Sequence, residues 1–142
     1  MPVPRQRVAC YVTRERDGRV ELLVFDQVGD PEAGTQVPAG GIDPGEAYAR
    51  AAIREVGEET GLTQVEVVGR LGESDRPHPV TGAARLTTYV HLRARDPTPD
   101  RWIHVVSGVG ADTAMRFECR WEPLPVSLAD DQHELTWRLA PD

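Results

Sequence analysis

The sequence predicts an α/β fold in which a mixed β-sheet lies between helices. Two observations carry this. Short runs rich in β-branched and aromatic residues recur along the chain, and they are interrupted by one strongly helical stretch at its centre and a shorter one near its end. A length of 142 residues suits one domain with a proper core, taken here as residues 1–142.

The first elements are Arg7 to Arg14 (RVACYVTR) and Arg19 to Phe25 (RVELLVF), joined by Asp17-Gly18. A two-residue Asp-Gly link between such runs reads as a hairpin. Asp26 to Thr35, with Gly29, Pro31 and Gly34, is expected to be a loop, and Gln36-Val37-Pro38 a short strand leading to Gly40-Gly41. Pro44-Gly45 turns the chain into the central helix, with Asp43 and Glu46 bringing negative charge to its start, and Gly61 after Thr60 ends it in the left-handed conformation. Ala49, Ala52, Ile53 and Val56 form the arc expected to meet the sheet. Gly57 inside the helix has no sequence rationale beyond close approach of another backbone.

Beyond the helix, Val65 to Leu71 reads as a strand, Gly72 to Ala84 as a surface loop, and Arg85 to Arg95 as a strand with partial alternation. Asp96 to Asp112 is the least regular segment: it opens on Asp-Pro-Thr-Pro-Asp and closes on Ser107-Gly108-Val109-Gly110, the composition of a mobile closing loop. Met115 to Trp121 is expected to be a strand. Ser127 and Asp130 make an S-x-x-D cap for a final helix through about Arg138, with Leu128, Leu135 and Leu139 on one face.

Composition narrows the function. The net charge of −7 disfavours binding to a nucleic-acid backbone. Every one of the 16 basic residues is arginine, which excludes a lysine Schiff base and a P-loop lysine. Cys10 and Cys119 sit in apolar strand-like runs and read as buried free thiols. No apolar run reaches the length of a membrane span, and MPVPRQRVAC lacks a secretory apolar region, so a cytoplasmic location without a membrane partner is expected.

The central stretch carries the chemistry. Glu58 lies about 60° to one side of Glu55 on a helix and Glu59 about 40° to the other, so three carboxylates leave one narrow face. Like charges so placed repel, and a hard divalent cation with oxygen ligands is the natural counterweight. The full pattern runs Gly40, five residues, Glu46, seven residues, then Arg54-Glu55-Val56-Gly57-Glu58-Glu59-Thr60-Gly61-Leu62. It resembles the Nudix box, G-x5-E-x7-R-E-U-x-E-E-x-G-U with U aliphatic, and departs from it at no specified position.

That resemblance implies a Nudix-type α/β/α sandwich. It also implies Mg2+-dependent hydrolysis (Mn2+ as a substitute) of a phosphoanhydride in a nucleoside diphosphate linked to another moiety. On the family's pattern Glu55, Glu58, Glu59 and the Gly40 carbonyl hold metal, Glu55 and Glu59 act in catalysis, and Glu46, Arg54 and Gly61 are structural. The family often adds a carboxylate from outside the box; of Glu118, Glu122 and Glu134, Glu118 on the strand before Trp121 is the choice. The partner implied is a small-molecule nucleotide, with no nucleic acid and no membrane, and a homodimer is left open.

Pro77, fifteen residues after Leu62, stands where a subgroup marker of ADP-ribose hydrolases falls. The tyrosine of diadenosine polyphosphate hydrolases is missing at positions 78 to 80. Two rivals share the fold: a nucleotide-sensing module without hydrolysis, which would be expected to lose box glutamates, and an isoprenoid diphosphate isomerase, for which Cys10 and Cys119 are poorly placed.

Overall fold

The computed structural model describes residues 3–95, 97–106, 115–129 and 132–139. Its organising strand is β1 (Arg5–Arg16), flanked by β2 (Arg19–Gln27) and β5 (Arg85–Ala94). The link Asp17-Gly18 has φ of 52° and 75°, the two positive values a type I′ turn needs, and Arg16 pairs with Arg19 across it. β1 and β5 run parallel, while the other pairings are antiparallel. With β3 (Ala39–Gly41), β4 (Val65–Ser74), β6 (Arg101–Val106) and β7 (Met115–Pro123), the seven-stranded sheet has the order β4-β5-β1-β2-β7-β6, and β3 pairs with β1.

β1 is long enough to change partners along its length. Its second half pairs with β2 and its first half, Arg7 to Ala9, with β3. The segment from Gln36 to Gly41 fills the fork: Gln36 bridges Phe25 on β2, and Pro38 O accepts the Cys10 N–H at 2.8 Å. Gly40 and Gly41 are thereby held against the middle of the sheet.

Helix α1 (Tyr48–Thr60) packs on one face over Val8, Cys10, Val12, Leu23, Phe25, Val90, Leu92, Phe117, Cys119 and Trp121. The helix buries Ala51, Ala52, Glu55, Val56 and Thr60, and leaves Ile53 40% exposed. The apolar arc expected through Ile53 is therefore rotated: Glu55 and Glu59 join the inward stripe of Ala52 and Val56, and Glu58 faces out.

The other face buries Ala9, Tyr11, Leu22, Val24, Val37 and Tyr89 beneath Leu124, Val126, Leu128, Leu135 and Leu139. The expected final helix is not α-helical in the described residues. The chain makes turns through 132–135 and a 3₁₀ segment Thr136–Leu139, so this layer is irregular, and the Asp130 of the expected cap lies outside the described residues. Tyr11 holds the layer to the sheet, its hydroxyl donating to Gln132 O and accepting Leu135 N–H.

The expected loop at Asp96 to Asp112 is corrected in part. Arg101–Val106 is a full edge strand paired with β7. The Pro-rich approach hid it, and six residues without strict alternation gave a weak period. Ser107 to Asp112, where the closing loop was expected, lies outside the described residues.

Candidate active site

The loop before α1 is tied to the helix by one guanidinium. Arg54 Nε and Nη2 donate to the two carboxylate oxygens of Glu46 at 2.9 and 2.7 Å, a bidentate pair. Nη2 also donates to Gly41 O at 2.9 Å, and Nη1 to Glu55 at 2.9 Å and Glu58 at 3.4 Å. Glu46 in turn accepts the Asp43 N–H at 3.0 Å. The Arg54 hydrogen bonds, then that from Asp43, lower the Glu46 carboxyl to about 2. Glu46 and Arg54 thus join β3, the turn and the second turn of α1.

Glu55 shows why Gly40 is glycine. A Cβ at Gly40 would run into the Glu55 carboxylate, so the side chain lies against bare β3 backbone. Glu59, one turn on, accepts the Ala39 N–H at 2.8 Å. Burial raises the Glu59 carboxyl to about 8, against the Ala39 hydrogen bond, with the charges of Glu55 and Glu58 adding to it. Burial also raises Glu55, opposed by the Arg54 hydrogen bond. Glu58 is the outer member, its side chain 54% exposed. Gly61 closes the helix at φ 80°, its N–H donating to Gly57 O at 2.9 Å.

Both cysteines are buried free thiols beside the same site. Cys10 donates to Ala52 O, and burial with the nearby Glu59 charge pushes its thiol well up and that of Cys119 to about 12.

Glu118 does not join this group. Phe117, Cys119 and Trp121 point toward α1, so strand alternation puts Glu118 on the opposite face of the sheet. There it pairs with Arg101 and lines a cleft of about 410 Å³ with Asp26, Asp30 and Thr35. The choice of Glu118 as the opposing carboxylate is corrected on that ground. Glu122 lies on the same face, bound to Arg120 at 2.8 Å, and Glu134 is beside Arg76 at 3.9 Å.

The donor set fits a hard divalent cation: carboxylates against a backbone segment stripped of side chains, two of them pushed toward protonation by burial and mutual repulsion. As they stand, no three such groups among the described residues converge on one point, because Glu55 is turned to Arg54 and Glu59 to Ala39.

Sequence reasoning missed four contributors. The Ala39 N–H and the Arg5 guanidinium, whose Nη2 sits 2.9 Å from where a Cβ on Gly41 would be, come from pairing between β1 and β3. Trp102 and His104 reach α1 from the unforeseen strand β6, where the aromatic and β-branched content of RWIHVV was the available signal.

A mixed sheet carrying a glycine-backed loop and helix, with buried glutamates braced by one arginine, defines an α/β domain of the Nudix architecture. The NUDIX domain family model matches residues 3–137, and the chain belongs to the Nudix hydrolase family. It is 37% identical over 97 residues to an RNA pyrophosphohydrolase of Rhodopseudomonas palustris (63% of this chain, 55% of that protein). To an RNA pyrophosphohydrolase of Afipia carboxidovorans it is 35% identical over 117 residues, 77% of this chain and 66% of that one. The chain thus spans little more than half the length of the first of these relatives. Among solved structures, a C. elegans Ap4A hydrolase aligns with a TM-score of 0.67 at 21% identity over 96% of both chains. The NUDIX domain of Shewanella oneidensis NrtR, complexed with ADP ribose, aligns at 0.61 and 16% identity over 99% of this chain and 91% of that one. At such identities these two speak to fold alone.

Proposed function

We propose that the protein hydrolyses a phosphoanhydride bond in a nucleoside diphosphate linked to another moiety, with Mg2+ as cofactor. The observation that carries this is the placement of Glu55 and Glu59 on β3 backbone at Gly40 and Ala39, under a helix held by Arg54. Glu55, Glu58, Glu59 and the Gly40 carbonyl would hold the metal. When bound, it neutralises phosphate oxygens and lowers the pKa of a coordinated water.

The chain's own residues supply the rest. Glu55, which lies against bare β3 backbone and is oriented by the Arg54 hydrogen bond, is the group proposed to accept the proton. Arg54 and Glu46 fix the loop so that Gly40 stays against Glu55. Arg5, over Gly41, and Arg7, at 3.4 Å from Thr87 Oγ1, bring positive charge to this end of the sheet, where the anionic substrate must lie. The sensing-module alternative has every box glutamate against it.

For the substrate, the relatives named RNA pyrophosphohydrolase favour a nucleotide polyphosphate at an RNA 5′ end as a second reading beside ADP-ribose. The net charge of −7 favours the small molecule, and Pro77 stands exposed in a surface segment. A panel of ADP-ribose, diadenosine tetraphosphate and a 5′-triphosphate RNA oligomer, with Mg2+ and with excess EDTA, tests both. Turnover of any one with Mg2+ and none in EDTA is expected. No turnover of any phosphoanhydride, or full turnover in EDTA, overturns the proposal.

A further inference from the structure

The final turn of α1 carries Glu58 and Glu59, and helix ends fray because their last four carbonyls lack intrahelical partners. Here three of those four carbonyls are taken. Gly61 N–H donates to Gly57 O at 2.9 Å, His104 Nε2–H to Glu58 O at 3.0 Å, and Trp102 Nε1–H to Thr60 O at 2.7 Å. The second and third donors come from one edge strand more than forty residues away, whose Trp102, His104 and Val106 alternate toward the helix. Gly61 fits this contact twice over. Its φ of 80° excludes most side chains, and a Cβ there would lie 2.9 Å from His104 Nδ1.

We propose that Trp102 and His104 are positioning residues: together they clamp the carboxyl end of the box helix and so set the metal-binding geometry of Glu58 and Glu59. This rests on the metal reading of the site given above. The clamp acts on backbone carbonyls, so it leaves both carboxylates free to turn toward a ligand while the Cα positions beneath them stay fixed. Glu58 needs this most, since its exposed side chain is oriented, among the described residues, by a 3.4 Å contact to Arg54. A site with ligands on a helix terminus is as exact as that terminus is rigid.

Trp102→Phe and His104→Phe remove the donors and keep ring packing; His104→Gln keeps a donor. Mn2+ binding, read by electron paramagnetic resonance of the free ion, should weaken about tenfold in each Phe variant, as loss of partners orienting metal ligands does. It should remain near parental in His104→Gln. At subsaturating Mg2+, kcat should fall with substrate KM unchanged, and amide exchange at Glu58 to Leu62 should quicken relative to β1 and β5. Parental Mn2+ affinity in both Phe variants overturns the clamp, even if the melting temperature falls. Should Trp102→Phe fail to fold, His104→Phe, half-exposed at the rim, decides the matter alone. The parent's own Mn2+ binding tests the metal reading separately, and a parent that binds no Mn2+ overturns both.

Discussion

Glu59→Gln in metal-free protein separates electrostatic cost from shape. Burial raises the Glu59 carboxyl from 4.5 to about 8, so between those values the folded state holds a proton that the unfolded chain has released. A raised folded pKa gives stability that is full below about pH 4.5 and is lost as pH rises through about 8. At 1.36 kcal/mol per pH unit the whole effect is at most about 5 kcal/mol, of which about 3–4 kcal/mol falls between pH 5 and 8. For a chain of this size that is roughly 10 °C in Tm.

Glu55, also raised, adds with the same sign. Glu46, lowered to about 2, and Asp100, lowered by Arg14, change stability only on the acid side of this window. His91, lowered by burial, works the other way, because the fold disfavours its protonated form. Parent and variant share the contributions of Glu46, Asp100 and His91, so their difference isolates Glu59 together with its coupling to Glu55. In EDTA, thermal melts should show the parent losing about 10 °C more than Glu59→Gln from pH 5 to 8, and Mg2+ should restore the parent at pH 8. Parallel Tm curves for the two proteins in EDTA would refute the assignment of Glu59 as a buried, charge-stressed carboxylate.

Arg54→Ala breaks five hydrogen bonds and leaves Glu46 and Gly41 O without their partner. Stability should fall by about 2–3 kcal/mol by denaturant titration, with kcat reduced as well; a parental result in either measurement removes the bracing role. Glu118→Gln, on the face away from α1, should keep kcat within about twofold of the parent; a loss beyond tenfold in steady-state assay would return Glu118 to the mechanism. Gly57→Ala should stabilise by about 0.5–1 kcal/mol, since the added Cβ meets only Leu62 O at an ordinary 3.7 Å; a fall in Tm would show that Gly57 is kept for a backbone approach this fold does not display.

How much was legible depended on how local the cause was. The Asp17-Gly18 hairpin and the Gly61 stop follow from neighbours in sequence and are where the pattern put them. The short strand expected at Gln36-Val37-Pro38 falls instead at Ala39–Gly41, and the one expected from Val65 to Leu71 runs on to Ser74. The rotation of α1 was not legible. Amphipathic reading assigns glutamates to solvent, yet Glu55 is buried because Gly40, fifteen positions earlier, leaves room for its carboxylate. The irregular second layer was missed for a related reason. Leu128, Leu135 and Leu139 do cover the sheet, but the Tyr11 hydroxyl and the Gln132 side chain, which accepts Val37 N–H at 2.8 Å, take up polar groups from that segment and from the sheet beneath it.

The same long-range logic explains why a hydrolytic site can be built on a helix that also serves as core. Ala52 and Val56 supply apolar contact with the sheet, and Glu55 and Glu59 occupy the same stripe. Two carboxylates there would ordinarily be expelled. They are tolerated because each accepts a hydrogen bond, Glu55 from Arg54, which it shares with Glu46, Glu58 and Gly41 O, and Glu59 from the Ala39 N–H. Neither donor neutralises the site fully, since both carboxyls remain raised. The residual imbalance is what the proposed divalent cation would offset. A site with better internal pairing would be more stable empty and a poorer metal site, so the strain at Glu59 and the proposed chemistry stand or fall on the same carboxylate.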